Sequence, residues 1–265
     1  MNWKQTLFWS FSAAAIFYYF LLFGVFVFVG QEEMQLFIPE WWYIREFLFQ
    51  PGGFCAVAGQ WIIQYYRQPM SAVVFHTVLL VGCGFMVYRI LRCFSDKTYL
   101  LFLSLLPVLY LVKMSIHGEY LVDGTVGVVL MLLALSVSLK VRRAGSIAGY
   151  GIASTLFLCG LTGLLSVCYA FLYTLLALLR YKTSRQRLAA AACLIPALFI
   201  YLFSGWLGIP VPLSDGWMPE AYLEIQRLPH YYMYRVWTFF TLSIVGVALF
   251  ARFVPVIGEK RSEER

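Results

Sequence analysis

Charged side chains are scarce in this sequence. Asp, Glu, Lys and Arg make up 12% of the 265 residues, whereas 62% of the residues are hydrophobic. Soluble domains carry about 25% charged residues, and a soluble fold of this length has too little interior to hide so much apolar surface. The composition therefore predicts an all-α, polytopic membrane protein in which residues 1–265 form a single integral membrane domain.

Several motifs of common enzyme classes are also missing. The sequence contains no GxSxG, no HExxH, no Walker loop and no GxGxxG that opens a helix after a strand, which disfavours hydrolases and ATPases. The six cysteines form no CxxC pair and most lie within apolar runs. We therefore expect no disulfide framework and no metal site built on cysteine.

The formal charge of +7 is concentrated in short basic clusters that separate apolar runs. This placement is typical of cytoplasmic loops that face anionic lipid rather than of nucleic-acid binding, so membrane lipid is the expected partner and nucleic acid is not. The clusters are Arg89, Arg92 and Lys97; Lys140, Arg142 and Arg143; Arg180, Lys182, Arg185 and Arg187; Arg252, Lys260, Arg261 and Arg265.

The apolar runs predict about eight membrane spans. The stretch 146–179 carries no charge but has a basic cluster at each end. A single helix there would be about 50 Å long, so we expect a tight turn near Gly160 and Gly163; one long tilted helix is the alternative. The predicted spans are 7–29, 71–91, 99–114, 123–139, 146–161, 165–180, 188–208 and 234–254.

The basic clusters predict a multi-pass protein of the bacterial inner membrane with both termini in the cytoplasm. The first apolar run is too long for a cleaved signal, so we read it as a retained span. With this orientation, nine of the thirteen acids fall outside. Acidic residues contribute little to orientation, so their gathering on the outer side points to a function.

The first outer loop, residues 30–70, contains two helical patterns. Trp41, Ile44 and Leu48 repeat at helical spacing, as do residues of the stretch 54–65, and QPGG at 50–53 separates the two patterns. Each is too short to span a bilayer and rich in the aromatic residues that favour the membrane interface. We expect two interfacial helices bent at Pro51–Gly53, with a re-entrant hairpin as the alternative.

Acidic residues start two outer loops. Glu32 and Glu33 follow the first predicted span, while Glu119 and Asp123 lie in the second outer loop beside His117. Carboxylates in a crevice there can act as general bases or hold a divalent cation through oxygen ligands. The alternative is that each acid is a solvated loop residue.

Other outer residues are candidates for ligand binding. Arg235 begins the last predicted span, where a guanidinium can bind a lipid phosphate or simply snorkel to the interface. His230 follows a proline in an aromatic cluster and can line a carbohydrate or lipid pocket or anchor its loop. Trp41 and Trp42 are candidates for stacking on sugar, and His76, inside the second span, is expected to be a packing residue.

Part of the sequence resembles an uncharacterised family of polytopic membrane proteins from Bacteroidota. The resemblance covers roughly residues 15–135 through FGVFVFVGQEEMQLF, LFQPGGFCAVAGQWIIQYYRQP and LLPVLYLVKMSIHGEY, and its most specific marks are Gln31-Glu32, Pro51–Gly53 and Gln64. That family implies no activity. Many of its members are longer, so we expect a C-terminal region of those relatives to be absent here.

The predicted architecture also resembles the C-type glycosyltransferases, which use a polyprenyl-phosphate sugar donor at the outer membrane face. The resemblance implies that Glu32 or Glu33 is the catalytic base. It implies that Glu119 and Asp123 contribute to substrate binding and that Arg235 grips the carrier phosphate. His117, Trp41 and His230 are further candidates for substrate binding because of their position on the outer side. A non-catalytic scaffold for a membrane-protein partner and a transporter or flippase are the competing hypotheses.

Overall fold

The structure is a computed structural model that describes residues 3–34, 37–95, 97–117, 120–203 and 236–252. Every regular element in these ranges is helical. The predicted all-α class is therefore confirmed for the described part of the chain. The helices are α1 Trp3–Phe23, α2 Val25–Met34, α3 Trp41–Leu48, α4 Gly53–Ile63, a 3-10 turn Gln64–Arg67, α5 Pro69–Leu91, α6 Leu100–Met114, α7 Val122–Ser138, α8 Ala144–Thr162, α9 Leu165–Arg180, α10 Ser184–Ala191, α11 Leu194–Leu202 and α12 Val236–Arg252.

Four helical stretches are long and apolar enough to cross a membrane: α1, α5, α8 and the α10–α11 pair, while α6, α7, α9 and α12 are shorter apolar helices. Each of the eight coincides with one predicted span. Many large apolar side chains point away from the bundle, for example Phe11, Phe26 and Ile195, which are 78%, 88% and 72% exposed. Such an apolar exterior fits a membrane protein, because lipid rather than water covers it.

Helices α5 and α7 form the centre of the bundle. Helix α5 packs against α1, α2, α6 and α7, and α7 packs against α4, α5, α8 and α9. Their facing side chains are fully buried, among them Leu80 and Val87 of α5 and Val128 and Leu132 of α7. The loops that join these helices therefore meet around the ends of a common core.

The helical structure of the first apolar run extends beyond the predicted span. Helices α1 and α2 are nearly continuous across Gly24, whose N–H donates to the Phe20 carbonyl and whose carbonyl accepts from the Phe28 N–H. Helix α2 then runs to Met34, so Glu32 and Glu33 lie in its last turn rather than in a loop. Gln and Glu are good helix formers, so the helix continues past the predicted end of the span near residue 29. The position of the membrane boundary stays a prediction.

The predicted turn between the fifth and sixth spans is confirmed. Helix α8 ends at Thr162, and α9 begins at Leu165. Gly163 between them has φ 62°, a conformation that glycine adopts without the steric cost that a Cβ imposes. The single long helix over 146–179 is therefore wrong.

The two predicted helices of the first outer loop are present as α3 and α4. Tyr43 of α3 donates a hydrogen bond of 3.0 Å to Gln60 Oε1 of α4, and Gln64 Nε2 donates to the Phe37 carbonyl at 2.9 Å. At the bend, Gly52 has φ 84°. The segment is thus a helical hairpin closed by its own polar side chains.

The bend of this hairpin contacts the α8–α9 turn. The Gly52 N–H donates to the Gly160 carbonyl at 3.0 Å, and a Cβ on Gly52 would lie 3.3 Å from the Gly163 nitrogen. Two turns that each contain a glycine of positive φ therefore meet backbone to backbone. The contact fixes the hairpin against the rest of the bundle at its tip.

Helix α4 runs antiparallel to α7. Gly59 meets Asp123, while one turn earlier Cys55 meets Gly127, one turn further along α7. Five of its eleven residues are buried, including Cys55, Ile62 and Ile63. Helix α4 therefore packs along an apolar core helix, and the flat and re-entrant alternatives both stay predictions. Its angle to the bilayer stays a prediction.

Candidate functional site

The end of α2 is joined to the segment that leads into α7. Gln31 is 1% exposed, and its Nε2 donates a hydrogen bond of 3.0 Å to the backbone carbonyl of Tyr120. Tyr120 is itself fully buried, and its hydroxyl accepts from Thr125 Oγ1 at 3.2 Å. A bond between residues 89 positions apart in sequence therefore fixes the two predicted acidic segments next to each other.

A buried imidazole lies one turn below this bond. The His76 ring stacks on Phe28 with centroids 4.3 Å apart and planes at 10°. Its Nε2 shares a hydrogen bond of 2.7 Å with the Tyr66 hydroxyl. We refer to Gln31, Tyr66, His76, Tyr120 and Asp123 as the polar cluster. They come from α2, the 3-10 turn, α5, the segment before α7 and the first turn of α7, at the same end of the bundle.

The polar cluster has two buried atoms without a partner. Gln31 Oε1 and His76 Nδ1 are both buried and make no hydrogen bond within the described ranges. Unpaired polar atoms in a core are costly, and native structures usually pair them with protein groups or water. Gln31 Oε1 and His76 Nδ1 can therefore each make a further hydrogen bond at this end of the bundle. We expected His76 to be a packing residue with its hydrogen bonds satisfied. Of its two ring nitrogens, only Nε2 has a hydrogen-bond partner in the described part of the chain.

Asp123 lies in the first turn of α7, directly against α4. A Cβ on Gly59 would be 2.7 Å from the Asp123 Cβ, and Asp123 Oδ1 accepts from the Gly124 N–H at 2.7 Å. A carboxylate is electrostatically favoured at a helix N-terminus, where the unpaired N–H groups concentrate positive charge. The contact with Gly59 leaves Asp123 half-buried, with the hairpin covering one side.

The other candidate acids are placed differently from one another. Glu32 is half-buried, whereas Glu33 is exposed. Both follow Gln31 in the last turn of α2, and the Gln31 side chain is the one that contacts the Tyr120 carbonyl. His117, whose carbonyl accepts from the Tyr120 N–H at 2.9 Å, is exposed at the same loop. The structure thus brings the two acidic segments together; a shared cavity between their carboxylates stays a prediction.

Trp41 and Trp42 lie on α3, which has no buried residue. Their side chains are 68% and 61% exposed, as stacking on a ligand requires. Three other candidates, Glu119, His230 and Arg235, lie outside the described residues. Their predicted roles in substrate binding stay predictions.

No group of three or more His, Cys, Asp or Glu side chains in the described ranges is arranged to hold a metal ion. The two described candidate acids that are half-buried, Glu32 and Asp123, belong to the ends of different helices. Their chemistry is that of general bases and hydrogen-bond acceptors. A divalent cation held with the help of Glu119 stays an alternative to be tested.

Sequence reasoning missed the central part played by Gln31 and Tyr120. A glutamine that precedes two glutamates appears solvent-exposed, and a tyrosine in a short loop appears interfacial. Helical spacing contained a signal, because Phe28 and Gln31 are three residues apart and lie on one face of α2. Once Phe28 is buried against His76, Gln31 is directed into the bundle as well.

Comparison with known proteins identifies the family. A family model described as "Family of unknown function (DUF6057)" matches residues 1–264, so the chain belongs to that family. No curated protein and no solved structure matches the chain.

Proposed function

We propose that this member of the family of unknown function DUF6057 is a glycosyltransferase-like enzyme of the bacterial inner membrane. It would transfer a sugar from a polyprenyl-phosphate carrier to an acceptor hydroxyl at the outer face. The proposed topology has eight spans and both termini in the cytoplasm. Its support is that eight apolar helical stretches lie at the eight predicted positions, separated by basic clusters that favour the inner side.

The proposed reaction is a single displacement at the anomeric carbon. The acceptor oxygen bonds to that carbon as its proton passes to a carboxylate. The bond between the carbon and the phosphate oxygen breaks, and the polyprenyl phosphate leaves with the electron pair. The protein must therefore place one base beside the acceptor and hold the carrier so that its phosphate can leave.

We assign the base to Glu32 in preference to Glu33. The observation that carries the assignment is the hydrogen bond from Gln31 to the Tyr120 carbonyl, because it orients the last turn of α2 toward the second acidic segment. Glu32 is half-buried and Glu33 is exposed. A base that works in a crevice needs partial exclusion from water, so that its proton is exchanged with substrate rather than with solvent.

Two further parts of the structure support a sugar-binding role for the first outer loop. The tip of the α3–α4 hairpin is fixed by the Gly52 hydrogen bond to Gly160, while Trp41 and Trp42 stay exposed on α3. Rigidly held aromatic rings lose little entropy when a ligand stacks on them. Asp123, with one side covered by Gly59, is the proposed second carboxylate for the substrate.

The test uses proteoliposomes that contain the purified chain and a lipid extract as acceptor. Donors are radiolabelled polyprenyl-phosphate sugars that carry a hexose, an N-acetylhexosamine or a pentose. Transfer of label from the donor is expected with wild type for at least one donor. Glu32→Gln should lower the rate by about 100-fold or more, the usual contribution of a general base.

Glu33→Gln is the matched control, because it makes the same change one residue away at an exposed position. We expect it to retain a rate within about threefold of wild type, since an exposed charge contributes little. Equal losses in the two variants, with both folded, would contradict the assignment of the base. Failure of wild type to transfer any of the three sugars would contradict the proposed reaction with these donors.

A non-catalytic scaffold is the second candidate, and α3 favours it. None of its eight residues is buried, and Trp41 and Trp42 are exposed. An exposed aromatic helix on a fixed hairpin also suits a membrane-protein partner. A scaffold is expected to show no transfer by wild type and to lose its partner when Trp41 and Trp42 are changed to Ala, whereas Glu32→Gln leaves the assembly intact.

A further inference from the structure

Two side chains of the polar cluster are buried, and each has one polar atom without a hydrogen-bond partner. Gln31 is 1% exposed and His76 is 0% exposed. Their unpaired atoms, Gln31 Oε1 and His76 Nδ1, make no hydrogen bond within the described ranges. Native structures pair nearly all such atoms with protein groups or with ordered water. The chemistry of the two atoms therefore indicates what kind of molecule pairs with them.

The orientation of the Gln31 amide is fixed by its partner. Its nitrogen Nε2 lies 3.0 Å from the backbone carbonyl oxygen of Tyr120, and a carbonyl oxygen can only accept a hydrogen bond. The amide nitrogen, which is the donor, must therefore face Tyr120. The unpaired atom of Gln31 is thus the amide oxygen, an acceptor that lacks a donor.

The tautomer of His76 follows from Tyr66 in the same way. The Tyr66 hydroxyl is buried, and its one hydrogen bond in the described part of the chain joins it to His76 Nε2 at 2.7 Å. If Nε2 carried the ring proton, the Tyr66 O–H would become another buried donor without an acceptor. The Tyr66 O–H therefore donates to Nε2, and a neutral imidazole then carries its proton on Nδ1. The unpaired atom of His76 is thus a donor.

Aromatic rings enclose the His76 imidazole. The ring centroids of Phe28, Phe20 and Tyr66 lie 4.3, 5.5 and 5.5 Å from its own. An unpaired charge in such surroundings is costly, so a neutral imidazole and a neutral ligand are favoured. The ligand must accept from an N–H and donate to an amide oxygen, as a hydroxyl group does. Water is the smallest molecule with this chemistry, and the near-complete burial of both residues favours the smallest one.

The unpaired atoms belong to side chains that lie against neighbouring turns of α2. His76 stacks on Phe28 with planes at 10°, and Gln31 follows Phe28 by three residues on the same face of the helix. The separation along the helix is within about one turn, about 5.4 Å. A single water can bridge atoms up to about 6 Å apart, because each of its hydrogen bonds is about 2.7–3.2 Å long.

From these observations we propose that one buried water molecule joins α5 to α2, accepting a hydrogen bond from His76 Nδ1 and donating one to Gln31 Oε1. Through His76 the water is connected to Tyr66 of the 3-10 turn, and through Gln31 it is connected to Tyr120. It therefore holds the last turn of α2 against two other parts of the bundle. The proposal does not depend on the proposed sugar transfer, because it concerns the free protein.

The experiment is solid-state NMR of the purified full chain in lipid bilayers, with isotopically labelled histidine. The chain has three histidines, so the signals of His76 are assigned by their loss in His76→Gln. The spectra show which ring nitrogen carries the proton and whether that proton receives magnetisation from water. A soluble paramagnetic reagent broadens the signal of bulk water, so that only enclosed water remains visible.

The test variant is Gln31→Leu, which removes the proposed acceptor of the water. The matched control is Gln64→Leu, because the Gln64 amide also donates to a backbone carbonyl, that of Phe37 at 2.9 Å, but its side chain is exposed. Transfer from enclosed water to the His76 ring proton should be lost in Gln31→Leu. It should be retained in Gln64→Leu.

We expect wild type to carry the His76 ring proton on Nδ1 and to show transfer from enclosed water to that proton. A proton on Nε2 in wild type, or a proton on Nδ1 that receives nothing from enclosed water, would overturn the proposal. Retention of the transfer in folded Gln31→Leu, or equal loss in the two folded variants, would overturn the bridge to Gln31. The wild-type spectra decide the question alone where a variant does not fold.

Discussion

The close contact between α4 and α7 can be tested by adding one methyl group. In Gly59→Ala, the new Cβ would lie 2.7 Å from the Asp123 Cβ and 3.0 Å from its Cα and nitrogen. Carbon atoms in contact normally lie about 3.5–4.0 Å apart. Two of the three blocking atoms belong to the backbone, so no side-chain rotation relieves the overlap. Helices α4 and α7 must therefore separate by roughly 1 Å.

The expected cost follows from the behaviour of overpacked cores. Extra methylene groups in a filled core destabilise a protein by about 1–3 kcal/mol. For chains of 150–250 residues, each kcal/mol lowers Tm by about 2–4 °C, so Gly59→Ala should melt roughly 2–12 °C below wild type. The assay is thermal unfolding of the purified protein in detergent, followed by tryptophan fluorescence.

Gly82→Ala is the matched control. Gly82 lies within α5, and a Cβ there would meet nothing within 4 Å. Alanine is favoured over glycine in a helix by up to about 1 kcal/mol, so this variant should melt at or slightly above the Tm of wild type. If Gly59→Ala has the same Tm as wild type, α4 does not pack against α7 at this distance. Gly59 then does not cover Asp123.

The remaining predictions use the same protein and simple measurements. Gln31→Leu leaves the buried Tyr120 carbonyl without its hydrogen-bond donor and should lower the free energy of unfolding by about 1–3 kcal/mol. A melting curve equal to that of wild type would contradict the hydrogen bond between Gln31 and Tyr120. Gly163→Ala places a Cβ on a residue with φ 62° and should lower the free energy of unfolding by about 1–3 kcal/mol. Gly160→Ala, whose Cβ would point into open space, should lower it by less than half as much. Cys93, which is exposed, should react with a membrane-impermeant maleimide only after spheroplasts are permeabilised, and its labelling in intact spheroplasts would reverse the proposed topology.

The sequence contained enough information to predict where the helices lie. Apolar runs predicted the positions of four long helical stretches and four shorter apolar helices. Two basic clusters that both favour the cytoplasm required the turn near Gly163. Pro51 and Gly52 marked the bend between α3 and α4. These features are local, because helix-breaking residues, charged clusters and apolar runs are each defined by residues that are close in sequence.

Tertiary packing explains what the sequence did not predict. The aromatic side chains that follow the apolar spacing of α4, such as Trp61, stay exposed, and α7 packs on a different face of the helix. The small residues Cys55 and Gly59, one turn apart, were an overlooked signal, since small residues at this spacing let helices approach closely. In the same way, Gln31 appeared exposed because its sequence neighbours are charged, and its burial depends on the distant residues His76 and Tyr120.

The central claim is that the end of the bundle around Glu32, the α3–α4 hairpin and Asp123 binds a lipid-phosphate carrier. The most direct measurement is photo-crosslinking with a polyprenyl-phosphate probe that has a diazirine in the first isoprene unit, followed by peptide mass spectrometry. Because the measurement requires binding but no turnover, its result is independent of the sugar. We predict that label accumulates in residues 28–66 and 120–127 and is displaced by excess unlabelled polyprenyl phosphate. Label spread evenly over the lipid-facing helices, or unaffected by the competitor, would contradict the claim.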